Sequence, residues 1–74
     1  MTKIVMKGWR EGLMKVTLSK IQMDILNIPL KEAKSNVDSL LDGNQIIIEV
    51  TDISRANEFV TKANEIGVDI ILED

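Results

Sequence analysis

The sequence predicts an α+β fold, a split β-α-β domain with the element order β-α-α-β-α-β. Three observations predict it. Two short β-branched runs, 45–50 and 68–73, flank one amphipathic helical stretch. A third apolar run opens the chain at residues 2–7. Between the first and second strands, the proline in Asn27-Ile28-Pro29 divides a helical region in two. At 74 residues the chain fits one domain, residues 1–74. A chain of this size buries only about 60% of the surface its unfolded form exposes, so its core is modest.

In the first strand, Ile4, Val5 and Met6 are apolar and the run ends at Gly8. Residues 8–15, with two glycines, read as a loop or a frayed extension of that strand. Thr17 is the predicted N-cap of the first helix, whose apolar positions Leu18, Ile21 and Ile25 recur at spacings of 3 and 4. A second helix starts near Pro29, a residue suited to a first helical position. Its predicted buried stripe is Leu30, Ala33, Val37, Leu40 and Leu41, and Asp42-Gly43-Asn44 is its stop signal. Residues 45–50 form the second strand. Asp52 or Ser54 caps a third helix with the stripe Ala56, Phe59, Val60, Ala63 and Ile66, and Gly67 is placed just past its end. Residues 68–73 form the last strand.

The unit from 45 to 73 calls for two parallel strands joined by a right-handed crossover. The N-terminal strand then fits between them in antiparallel sense. The predicted sheet is three-stranded, in order 2-1-3, with three helices on one face. Alternation turns Ile4, Met6, Ile46, Ile48, Val50, Val68, Ile70 and Leu72 toward the helices. It leaves Val5, Ile47 and Ile71 as an apolar strip on the open face, within a ring of charge. That strip is either ordinary surface apolarity or a self-association face.

Residue chemistry argues against an enzyme. The chain has no His, Cys or Tyr, which removes disulfides, Cys/His zinc sites and histidine acid–base catalysis. Ser19, Ser35, Ser39 and Ser54 have no histidine to activate them. Asp38 with Asp42, and Asp69 with Glu73 and Asp74, offer fewer oxygens than a hard cation wants. The four glycines are scattered and make no phosphate loop. No cofactor or metal is expected. Nucleic acid is not expected as a partner either, because the net charge is -3 and only Trp9 and Phe59 are aromatic. No apolar run approaches the roughly 20 residues of a membrane span, and no signal peptide is evident. A cytoplasmic protein is the expectation. Trp9 reads as a cover for the open end of the core or as an exposed anchor, and Met14 and Met23 as core filling or adaptable contacts.

Charge is divided along the chain. Residues 1–34 carry seven Lys/Arg and three acids, net +4, whereas residues 35–74 carry two basic and nine acidic residues, net -7. Lys20, Lys31 and Lys34 lie on the two helices around the proline break. They form either a basic patch that steers an acidic partner or a routine solvated helix face.

Residues 15–34 read KVTLSKIQMDILNIPLKEAK. This resembles the C-terminal domain of the bacterial large-subunit ribosomal stalk protein, whose pattern here is Lys-Val-x-Val-Ile-Lys, a spacer, then Gly-Leu-Gly-Leu-Lys-Glu-Ala-Lys. Lys15-Val16, Lys20 and Leu30-Lys31-Glu32-Ala33-Lys34 match without a gap. Ile4-Val5-Met6-Lys7 fits the family's first strand, and the stretch from Ala63 to Ile70 is similar to its closing segment. The resemblance covers nearly all of the chain, with extra residues around Trp9. It implies a non-catalytic docking module whose first two helices form a basic surface that recruits translational GTPases. Val16, Lys20, Pro29, Leu30 and Lys34 occupy that surface, with Lys31 beside them. The chain departs from the pattern at Met23, where the family has arginine, and at Asn27 and Pro29, where it has glycines. No stretch corresponds to the family's dimerisation helices and hinge. The Clp protease adaptor family shares the implied fold, but its histidine-bearing pocket motif has no counterpart here. The expected function is thus protein–protein interaction through the basic helical surface. The alternative is a small homo-oligomer, a homodimer for example, joined through Val5, Ile47 and Ile71.

Overall fold

The computed structural model describes residues 2–73. The chain runs β1 (Thr2–Trp9), α1 (Lys15–Leu26), α2 (Leu30–Leu41), β2 (Ile46–Val50), α3 (Ile53–Glu65) and β3 (Val68–Glu73). β1 lies in the middle of a three-stranded sheet of order β2-β1-β3 and is antiparallel to both neighbours. β2 and β3 therefore run parallel to each other, bridged by α3, as a split β-α-β unit requires. This is the predicted fold.

The register sets the faces. Ile4 pairs with Ile48 and Leu72, and Met6 with Ile46 and Ile70. These rows face the helices, where Ile4 and Met6 join Leu18, Ile25, Val37, Leu40, Phe59, Ala63 and Val68 in one buried cluster. Phe59 is its largest side chain. α1 packs chiefly on α2 and α3, which in turn lie on the sheet. The radius of gyration, 10.8 Å, is close to the ~11 Å expected of a compact chain of this length.

β1 runs past Gly8 to Trp9. A bulge after Met6 resets the register, so that Gly8 and Trp9 meet Asp69 and Val68. Such a bulge lets a strand continue with one residue left over.

Local signals and tertiary contacts compete at the start of α1. Thr17 is not its N-cap; the helix begins at Lys15, after Met14, with no side-chain cap. The reason lies in the preceding loop. Arg10 N–H donates to Gly67 C=O at 2.8 Å, and Met14 N–H donates to Ile66 C=O at 3.1 Å. These bonds fix the chain against the α3–β3 turn, and the helix propagates from there. Arg10 adds side-chain bonds from its guanidinium to Val68 C=O, Asp69, and the backbone and side chain of Asn64.

Gly67 has φ +107, and a Cβ there would stand 3.0 Å from Leu13 Cα. Left-handed backbone and close approach both demand glycine at this position. Asn27 ends α1 in the left-handed conformation, φ 57, a conformation that Asn tolerates better than most residues. Asp52 is the cap of α3: its Oδ1 accepts from Ser54 N–H at 3.0 Å and Arg55 N–H at 3.2 Å.

Two burial expectations need correction. Leu30 belongs to no buried stripe; it is exposed, while Ala33, Val37 and Leu40 carry the inner face of α2. Conversely, Gln22 is fully buried where the apolar pattern of α1 gave it no place. Ile21 is only partly buried.

Candidate functional site

α1 and α2 form a helical hairpin on the outer side of the molecule. Val16, Lys20 and Met23 of α1 are exposed at i, i+4 and i+7, so they share one stripe, with Lys15 and Asp24 exposed beside it. Val16 is 84% exposed, an unusual position for an apolar β-branched side chain. On α2, Leu30, Lys31 and Lys34 are exposed, as is Pro29 immediately before it. Pro29 has φ -60 and ψ 150, the extended geometry that lets the chain turn into α2.

The predicted residues do not gather in one place. Val16 and Lys34 line a single groove of about 210 Å³, together with Lys15 and Ser19 of α1 and Val37, Asp38 and Leu41 of α2. Pro29 and Lys31 line a separate, more open hollow of about 410 Å³ with Glu32 and Ser35. Lys20 and Leu30 line neither. The residues that the sequence missed in the first groove are Lys15, Ser19, Val37, Asp38 and Leu41. An antiparallel hairpin sets the start of α1 beside the end of α2, so their spacing from Val16 and Lys34 carries the signal.

The electrostatics of this surface are simple. Among the described residues the ion pairs are Arg10–Asp69 and Arg55–Asp52, the latter at 3.7 Å. None of Lys15, Lys20, Lys31 and Lys34 takes part in one. Their ammonium groups remain available to solvent or a partner, with Asp38 as the acid in the groove. The hairpin beneath is fixed by a buried polar link. Gln22 Nε2 donates to Leu18 C=O at 3.3 Å and Ala33 C=O at 3.2 Å, and Gln22 Oε1 accepts from Asn36 Nδ2 at 2.9 Å.

A larger cleft, about 430 Å³, lies between the α1–α2 corner and the junction of β2 with α3. Ile25, Ile28, Ile48 and Val50 supply apolar wall, and Glu32, Glu49, Asp52 and Arg55 supply charge. Arg55 is engaged there, donating to Ile25 C=O at 3.2 Å. Among the described residues no three acidic side chains are grouped to hold a metal ion. Asp38 and Asp42 lie at the end of α2, Asp69 is paired with Arg10, and Asp74 falls outside the described residues. Among the described residues no helix is long and apolar enough to cross a membrane.

On the open face Val5 faces Ile47 on one side and Ile71 on the other. The strip has the predicted register, but Val5 is only 6% exposed, against 60% for Ile47 and 38% for Ile71. The middle strand thus contributes little to the exposed apolar surface, which the isoleucines of the outer strands present. Trp9, at the end of β1, is exposed.

No model of a known protein family matches the chain, and no curated protein matches it.

Proposed function

We propose that the protein is a non-catalytic interaction module of the cytoplasm that docks an acidic protein partner on the α1–α2 surface. One observation carries this reading. Val16, almost wholly exposed, sits in a groove beside Lys15 and Lys34, and neither lysine is in an ion pair. An apolar contact flanked by two unpaired lysines, with Asp38 as the one acid of the groove, suits a partner segment with an apolar side chain beside carboxylates. Charge of this kind raises association rate and sets orientation, while the apolar contact holds the complex. Lys20 and Leu30 lie on the same two helices outside the groove, and Pro29 and Lys31 line the separate hollow. The resemblance to the ribosomal stalk domain suggests a translational GTPase as the partner class.

The test is affinity purification from the native host with the wild-type chain and the Lys20→Glu/Lys34→Glu variant. Direct binding to a purified translational GTPase is measured in parallel. Captured protein is expected to be lost with the variant while the circular dichroism spectrum stays the same. Equal capture by the two proteins counts against the proposal.

A further inference from the structure

We infer that the open face of the sheet is covered by a second copy of this chain, packed face to face, with Lys3 of each copy set against acidic side chains of the other. The charges on this face lie in columns. The middle strand carries Lys3 and Lys7, while the flanking strands carry Glu49 on β2 and Glu73 on β3; Asp69, also on β3, is already paired with Arg10. One row reads Glu49–Lys3–Glu73 and the next reads Ile47–Val5–Ile71. Among the described residues, Lys3 forms an ion pair with neither of its glutamate neighbours. A face of one sign would call for a partner of the other sign. A basic column between two acidic ones, with an apolar row across it, is complementary to a second copy offset sideways by about one strand, with acid available on either side.

The packing geometry of sheets brings the columns together. Stacked sheets cross at about 30°. Lys3 is two residues from Val5, or about 6.6 Å along the strand. A crossing of that size centred on Val5 moves the second copy's Lys3 sideways by about 3 Å, most of the ~4.8 Å to the acidic column. Ile47 and Ile71 of the two copies cover one another at the centre. A three-stranded face is small beside the ~800 Å² per partner of a standard interface, so the dimer is weak and sensitive to salt. The helices lie on the opposite side of the sheet. Each dimer therefore keeps both α1–α2 surfaces free, and a partner with two docking segments is held more tightly by avidity.

Analytical ultracentrifugation of the full chain from about 10 μM to about 1 mM tests this. The dimer fraction is expected to rise across that range. Its dissociation constant is expected to increase several-fold between about 50 mM and about 500 mM salt. A monomer at every concentration overturns the inference. Two charge variants locate the contact: Lys3→Glu, and Glu49→Lys with Glu73→Lys. Each alone is expected to be monomeric, and their equimolar mixture to form a heterodimer. A mixture that stays monomeric overturns the charge match. Lys3→Glu puts three carboxylates in one row and can unfold the strand, so Ile47→Asp serves as a second variant, since that side chain is already largely in solvent. With its circular dichroism spectrum intact it is expected to be monomeric, and undiminished dimerisation places the contact elsewhere and overturns the inference.

Discussion

Asn36 on α2 donates its side-chain amide to Gln22 on α1 at 2.9 Å, beneath the groove that carries Val16 and Lys34. Gln22 is fully buried, and both ends of its amide are satisfied, since its Nε2 reaches Leu18 C=O and Ala33 C=O. The two helices of the docking surface are thus joined by a directional link as well as by apolar contact. An apolar interface tolerates sliding, whereas a buried amide with fixed partners does not.

This link predicts an asymmetry between two substitutions. Asn36→Ala leaves Gln22 Oε1 buried without its partner and is expected to destabilise the fold by about 1–3 kcal/mol. Gln22→Met keeps the volume, removes the buried polar group, and leaves the half-buried Asn36 to find water. It is expected to lose less, about 1 kcal/mol. Urea unfolding of both variants and the double variant measures this. If the link operates, the two losses add to more than the loss in the double variant.

Gly67 offers a second test with internal controls. Gly67→Ala introduces left-handed strain and a Cβ 3.0 Å from Leu13 Cα. Gly12, at φ +91, and Gly43, at φ +95, have nothing within 4 Å of the place a methyl group would take. Alanine at either is expected to lose about 1 kcal/mol from backbone strain alone. At Gly67 about 2 kcal/mol or more is expected, a fall in Tm of roughly 10 °C in a domain of this size. Equal losses at all three positions would show that the approach of Leu13 carries no energy.

The fold was legible because period, punctuation and connection rules agree on it. Val68, Ile70 and Leu72 alternate inward, Asp52 caps, Gly67 turns, and the β-α-β unit leaves one slot for β1. The start of α1 was not legible, because it depends on bonds from Arg10 and Met14 to residues more than fifty positions away. Local preference pointed to Thr17; tertiary contact decided otherwise. Gln22 was hidden for a related reason. A polar residue on an apolar stripe is acceptable only when its partners are known, and Asn36 and Ala33 C=O become neighbours only once the hairpin closes. Of the candidate surface, placement on the two helices gave Lys20, Lys31 and Lys34, whereas Val16 came from the family resemblance alone, since a helix capped at Thr17 leaves it outside the periodic stretch. The division into one groove and one separate hollow depends on how α2 leans on α1, which no single helix encodes.

The contrast between Asp52 and Thr17 supplies a third prediction. Asp52 Oδ1 satisfies two free N–H groups at the start of α3, so Asp52→Ala is expected to destabilise by about 1 kcal/mol. Thr17 lies within the first turn of α1 and caps nothing. Alanine there, a better helix former, is expected to leave stability unchanged or raise it by a few tenths of a kcal/mol. Thermal melts of the two variants separate the roles, and a larger loss for Thr17→Ala would contradict this assignment of the caps.

The docking surface predicts a division of labour between charge and groove. Lys20, Lys31 and Lys34 are exposed, so their fields act across solvent and are screened over about 10 Å at 0.1 M salt. Replacing each with Gln is expected to lower the association rate for an acidic partner two- to five-fold and to flatten its dependence on salt, with little change in dissociation. Val16→Ala removes two methyl groups from the groove and no charge. It is expected to raise the dissociation rate by roughly ten-fold while the association rate and its salt slope stay as they were. Surface plasmon resonance with the captured partner, run at several salt concentrations, reads both effects. If Val16→Ala slows association and the lysine variants speed dissociation, the groove is not where the partner is held.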